Sequence, residues 1–420
     1  MINGISKLIF MKNNRRNFIK QIGLLGFTAA GGSMLPACGS SEGQGGEPGH
    51  PKDWAADPKW REIKYGKWKG PGVPDGPGPM DKVLLKDYAP KSSIVANETF
   101  VPRAKFPVID VHVHNYPARS QGKPSEEALA EWVRTQEEVG IETSVLLTGA
   151  TGSEFDSLVK MYLEPYPDRF QLFCGVDGTE INLPDYPQRA VEELERCYRL
   201  GARGVGEISD KGFGITRDPK LAPDGRLHHD DPRLDPFWNK CAELNLPVNV
   251  HIADHPSSWQ APDVFQERTP IFQQFNQYNQ EGMNYDELLE VLPRLLEKHP
   301  KTKIIACHLA NLGNDLERLS RMLDQYPNLN LDISARDYEV GRQPRAAAKF
   351  LANYPDRVLF GTDMGMDKEM YQSWWRLLES ADEHMTGRVW WRYYGLELAE
   401  PVLAALYQSN ARRILNWQKT

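Results

Sequence analysis

The chain has 420 residues, with 50 Lys and Arg against 57 Asp and Glu, and its formal net charge of −7 argues against nucleic acid as a partner. A hydrophobic content of 40% is ordinary for a globular protein, and the length is enough for one large core. The 5 cysteines show no CxxC spacing, and no Gly-x-Ser-x-Gly elbow, phosphate-binding loop or dinucleotide fingerprint occurs, so serine hydrolase and nucleotide-dependent chemistry lose support.

The first segment reads as an address. Asn14-Arg15-Arg16-Asn17-Phe18-Ile19-Lys20 resembles a twin-arginine export motif, and the apolar run 22–35 behind it is too short and glycine-rich for a membrane span. Leu35-Pro36-Ala37-Cys38 resembles a bacterial lipobox, so Cys38 is expected to become the lipidated first residue of the mature chain. Residues 1–38 are therefore assigned as a signal and 39–105 as a Gly/Pro-rich tether and lead-in, with Trp54, Trp60 and Trp68 scattered through it. The expected location is the periplasm or cell envelope, lipid-anchored, with the twin-arginine machinery and a membrane as partners.

From residue 106 onward strand-like and helix-like runs alternate. Strands are predicted at 108–113, 142–147, 170–176 and 204–208, with helices near 125–139, 153–163 and 188–200. A fifth strand ends at His251, a sixth at His308, a seventh spans 329–333 and an eighth ends at Asp363. Such a series predicts eight parallel strands with crossover helices. The long connections 210–235 and 253–284 are rich in Pro, Asp, Gln and aromatics and are expected to build a pocket.

Chemistry concentrates at the strand ends. In Asp110-Val111-His112-Val113-His114 the two histidines share one face of a strand, so both imidazoles can reach one ion. His251, His308 and Asp363 close three further strands. On this order of HxH, His, His, Asp, the chain resembles the amidohydrolase superfamily, in its amidohydrolase-related branch of aminocarboxymuconate-semialdehyde decarboxylase-like and lactonase-like enzymes. The tail Asn410-Ala411-Arg412-Arg413-Ile414-Leu415 resembles the closing helix of that branch. The resemblance implies a distorted (β/α)8 TIM barrel over 106–420 and a divalent metal, zinc first and manganese second, with one or two ions.

Gly204-Val205-Gly206-Glu207-Ile208 is similar to the strand of metal-dependent deoxyribonucleases and phosphotriesterase homologues in which a glutamate bridges two metals. The alternative is a barrel-wall glutamate paired with an arginine such as Arg336. The resemblance implies His112, His114 and Asp363 with His251 as ligands, and Glu207 with His251 and His308 as a second set. Asp363 would be the general base, and His308 would polarise the scissile carbonyl or bind the second metal. Arg336 and Arg342 are candidates for a substrate carboxylate, with a loop salt bridge as the equal alternative. The expected reaction is hydrolysis of an ester, lactone or amide in a small molecule; the alternative is non-oxidative decarboxylation. His228, His229 and His255 read as loop residues, His50, His299 and His384 as surface residues, and Cys174 and Cys307 as inert core thiols of apolar strands.

A lipidated Cys38 carries acyl chains whose burial contributes about 0.8 kcal/mol per CH2, so the mature protein should sediment with membranes and need detergent for release. Cys38→Ser should make it soluble or leave it unprocessed, and Arg15→Lys with Arg16→Lys should retain it in the cytoplasm; fractionation and mass spectrometry of the mature N-terminus check both.

Overall fold

In the computed structural model, described residues are 82–84, 87, 91–119, 125–216, 221–222, 225–262, 266–267, 276–389 and 391–416. The export-like motif, Cys38, the tether tryptophans and His50 lie outside them. Among the described residues no helix is long and apolar enough to cross a membrane.

Eight parallel strands pair in chain order: β1 (Val108–Val113), β2 (Ile141–Leu147), β3 (Phe170–Cys174), β4 (Ala202–Asp210), β5 (Val248–Ile252), β6 (Ile304–Ala306), β7 (Leu329–Asp332) and β8 (Val358–Leu359). Helices follow each in turn: α1 (Ser125–Val139), α2 (Gly152–Leu158), α3 (Tyr186–Arg199), α4 (Asp235–Glu243), α5 (Val291–Lys298), α6 (Leu316–Gln325), α7 (Pro344–Asn353) and α8 (Lys368–Glu379). The strands are apolar runs because helices cover their outer face while side chains fill the inside. The helices show the complementary stripe: in α3 the buried residues Tyr186, Ala190, Leu194 and Cys197 recur at three- and four-residue steps.

The last strand closes on the first to form a nearly closed barrel. Phe360 O accepts from Val111 N at 3.0 Å, and His112 O accepts from Asp363 N at 2.8 Å. Several expected boundaries move, β3 ending at Cys174 rather than 176 among them. β6 stops at Ala306, two residues before His308, because the backbone at 308–311 turns left-handed, with φ of 59°, 53°, 53° and 53°. β8 stops at Leu359, four residues before Asp363, whose φ of 48° likewise takes it off the ladder. The helix expected through residue 163 keeps α-geometry only to Leu158 and continues as a π-turn, Val159–Leu163.

Ser92–Thr420 forms one compact unit. Residues 92–105 belong to it: Thr99 N and Oγ1 donate to Asp382 at 2.7 Å, and Lys105 N donates to Glu379 at 3.1 Å. The tail segment folds as a helix at the same end, where Tyr407 OH also donates to Glu379, at 3.0 Å. Asn410 Nδ2 donates to Pro355 O and Val358 O, both at 2.8 Å, while Ala411, Ile414 and Leu415 join an apolar cluster with Ile109, Val111 and Ile305.

Asn410 sits at the start of β8, and the chemistry sits past its end. Asn410→Ala should therefore cost about 1–3 kcal/mol by leaving two carbonyls without their donor, with bound metal unchanged; urea unfolding alongside elemental analysis checks this.

Candidate metal centre

Two irregularities in the sheet aim the ligands. The β1–β2 register shifts between Asp110 and Val113, around His112, and the β4–β5 register shifts between Val205 and Ile208, around Glu207. Bulges of this kind re-aim a side chain beside a site. Gly206, at φ +147°, makes the second one fit, since a Cβ there would lie 2.7 Å from Asn249 Cβ.

The histidines are fixed from behind. His112 Nδ1 lies 3.0 Å from Asp332 Oδ2, His114 Nδ1 lies 3.0 Å from Leu147 O, and His308 Nδ1 lies 2.9 Å from Ser334 O. All three partners accept hydrogen bonds, so Nδ1 carries the proton and each Nε2 turns a lone pair inward. His114 Nε2 reaches Asp363 Oδ1 at 3.0 Å and His112 Nε2 reaches the same oxygen at 3.8 Å. Ligands bound at about 2.0–2.1 Å around one tetrahedral ion stand roughly 3.3 Å apart, so this trio has the spacing of a single site.

Glu207, His251 and His308 make an adjoining trio. Glu207 Oε1 is bonded to His251 Nδ1 and lies 3.4 Å from His308 Nε2. Glu207 also stands 3.8 Å from His112 Nε2 and 3.6 Å from His114 Nε2, so it lies between the two trios. His251 groups with Glu207 and His308 rather than with His112, His114 and Asp363. The wall pairing of Glu207 with Arg336 is not found, because Glu207 faces histidines.

Burial opposes ionisation of Asp363, yet its contact with His114 holds its carboxyl below the usual range. Burial likewise opposes Glu207, and the charge and bond of His251 hold it well below. Burial, and then His251, pull the His308 imidazole down to about 4, so it is neutral near pH 7. With Nδ1 donating to Ser334 O, Nε2 is left as an acceptor, which suits the second of its two expected roles, that of a metal ligand. The buried Nε2 of His112 makes no hydrogen bond. Two carboxylates, imidazole lone pairs and that unbonded nitrogen form the nitrogen and oxygen donor set of a divalent ion.

The expected carboxylate-binding arginines are otherwise engaged. Arg336 is 5% exposed; it donates to His308 O at 3.1 Å and to Asn311 Oδ1, and pairs with Glu339 at 3.1 Å, so it braces the left-handed turn instead of facing a substrate. Arg342 donates to Tyr338 O at 2.9 Å and pairs with Glu267, the salt-bridge alternative.

His229 Nε2 donates to Ile208 O, His228 Nδ1 bonds Asp210, and His255 Nδ1 bonds Ser257 Oγ, all outside the two trios. His299 is not a surface residue: it is 4% exposed, between Asn239 and Asp235. Cys174 is a strand core thiol as expected, but Cys307 lies one residue past β6 with its Sγ in ligand range of His112 and Glu207.

Sequence reasoning missed Asp332, Ser334 and Asp254. Asp254 lies 3.4 Å from His251 Nε2 and 3.0 Å from Lys211 Nζ. The alternation Asp332-Ile333-Ser334 past β7 repeats the two-residue spacing of the histidine pair, and asking which carboxylate stands behind each histidine would have found it. A cavity of about 100 Å3 adjoins Glu207, walled by Gly149, Gly175, Gly178 and Ile215 among others.

The family model described as Amidohydrolase matches residues 109–417. The chain belongs to the amidohydrolase family. As an amidohydrolase it is an enzyme, and the matched stretch takes in all six residues of the two trios. Among solved structures it is similar to 2,6-dihydroxybenzoate decarboxylase from Rhizobium, at 19% identity and TM-score 0.47 over 74% of this chain and 99% of that one. It is similar to 4-oxalomesaconate hydratase from Rhodopseudomonas palustris, at 15% identity and TM-score 0.45 over 74% of this chain and 95% of that one. A zinc-bound amidohydrolase from Burkholderia multivorans matches at 14% identity and TM-score 0.42 over 74% and 100%. At that level of likeness the reactions named for those proteins do not transfer to this amidohydrolase.

Replacing both His112 and His114 with Ala should remove the ion of the first trio, lowering bound metal by about one ion per chain, and because it strips the buried Asp332 of its imidazole it should also cost about 3–5 kcal/mol of stability. His114→Ala alone keeps the Asp332 pair, so it should lose that one ion with little change in Tm. Elemental analysis and thermal unfolding of the three proteins check the difference.

Proposed function

We propose that this amidohydrolase is a divalent-metal-dependent hydrolase that cleaves an ester, lactone or amide bond in a small molecule by attack of water. The observation that carries the reading is Glu207, set 3.4–3.8 Å from histidine nitrogens of both trios. That arrangement suits a glutamate shared by two ions and is not needed by a single-ion decarboxylase. His112, His114 and Asp363 would hold one ion, and Glu207, His251 and His308 the other, with zinc as first choice and manganese as second. Bound there, a divalent ion supplies Lewis acidity, which polarises a carbonyl and brings the pKa of water toward neutrality.

The chain's own groups do the rest. Asp363, with its side chain 29% exposed, is the trio member most open to the mouth. Its ionised carboxylate accepts the proton of the attacking water and returns it to the leaving group. His251 would ligate through Nδ1, the nitrogen turned toward Glu207, with Asp254, itself paired with Lys211, 3.4 Å from Nε2. A carboxylate on the substrate would have to displace Glu267 from Arg342, whose side chain is 26% exposed, since Arg336 is buried. Export through the twin-arginine route with a lipid anchor at Cys38 is part of the same proposal and is supported by the sequence motifs alone.

Protein loaded with excess zinc should approach two ions per chain, and Glu207→Gln should fall toward one. On a panel of lactones, esters and aromatic acids the zinc-loaded protein should release protons and no carbon dioxide. One ion in both proteins together with carbon dioxide release would replace the hydrolase by the decarboxylase.

A further inference from the structure

Among the described cysteines, Cys307 is the one at the metal centre. It directly follows β6 and is fully buried, with Asn249 Nδ2 at 3.9 Å as its neighbour inside the barrel. Its Sγ, a ring nitrogen of His112 and a carboxylate oxygen of Glu207 lie within 4.8 Å of one another, the same mutual reach that joins His112, His114 and Asp363. A second observation points to a ligand at this spot. His112 Nε2 is fully buried, makes no hydrogen bond and lies 3.8 Å from Glu207 Oε1. The nitrogen, the carboxylate and the sulfur therefore surround the same small volume.

Resting on the metal-centre reading above, we propose that Cys307 supplies a thiolate to the ion held between His112 and Glu207, and that this ligand selects zinc, cobalt or cadmium over manganese or magnesium. Thiolates bind the softer divalent ions, whereas carboxylate and water ligands suit manganese and magnesium. On binding, the S–H bond breaks, an S–metal bond forms and the proton leaves to solvent, so loading with a soft ion releases a proton that loading at carboxylates alone does not. The choice of metal in this amidohydrolase then turns on a residue outside its HxH, His, His, Asp series.

The test uses the full chain, stripped of metal and reloaded with Co2+. Wild type should show a near-ultraviolet thiolate-to-cobalt charge-transfer band beside the visible cobalt bands. Cys307→Ser should lose the near-ultraviolet band and keep the visible ones, and Cys174→Ser should keep both. In competition between Cd2+ and Mn2+, Cys307→Ser should lose roughly ten- to a hundredfold or more in Cd2+ affinity, the range already reached when a mere outer partner is removed, with Mn2+ nearly unchanged. The wild-type spectrum decides without any variant having to fold. Visible bands that weaken in His114→Ala, with no thiolate band, would leave the metal centre standing and overturn the role of Cys307. So would a thiolate band that survives in Cys307→Ser. No cobalt bands in wild type would overturn the centre and the thiolate together.

Discussion

The seam between the first and last strands is the constraint on which the metal centre depends. Asp110 is fully buried there, accepting from His112 N at 3.2 Å and Thr362 N at 3.1 Å through one oxygen, and from Thr362 Oγ1 at 2.7 Å and Tyr371 OH at 3.2 Å through the other. Burial pushes its pKa up to about 7 against the opposing pull of the Thr362 bond. A single carboxyl thus ties β1 to the segment after β8 and to α8. That tie sets Asp363 against the histidine pair, and it works only because Gly361 has no side chain: a Cβ there would lie 2.8 Å from that of His112.

Asp332 plays the matching part on the other side. It receives His112 Nδ1 at 3.0 Å, His308 N at 2.9 Å and Ser334 N at 3.1 Å, so one fully buried charge links β1 and β7 to the turn after β6. Removing one partner of a buried charge typically costs about 3–5 kcal/mol. The positions of His112 and His308, one from each trio, are therefore coupled through a carboxylate that belongs to neither trio.

The turn after β6 shows what is spent to place His308. Left-handed backbone costs about 1–2 kcal/mol per residue with a side chain, and His308, Leu309, Ala310 and Asn311 all adopt it. The offset comes from polar bonds within the turn's reach. Asn311 Nδ2 donates to Ile252 O at 3.0 Å and Ala253 O at 3.1 Å, and Arg336 donates to His308 O and Asn311 Oδ1. Strain of this kind persists where surrounding structure over-determines it, as it does at functional sites.

The sequence by itself determined the alternation of strands and helices, because hydrophobic period and length are local properties that survive in one dimension. It singled out His112, His114, His251, His308, Asp363 and Glu207 as candidates, because each lies within or just past the last few residues of an apolar run, where a barrel opens. It did not determine which members share an ion. That depends on the bulges at His112 and Glu207 and on the left-handed turn at His308, which no periodicity encodes. Nor did it reveal the true work of Arg336, since a guanidinium that braces a turn and one that meets a substrate look alike until their acceptors are known. Asp332 behind His112, and Cys307 within reach of His112 and Glu207, came into view only in three dimensions, because each stands beside a residue far away in the chain, and distance across a barrel is set by closure alone.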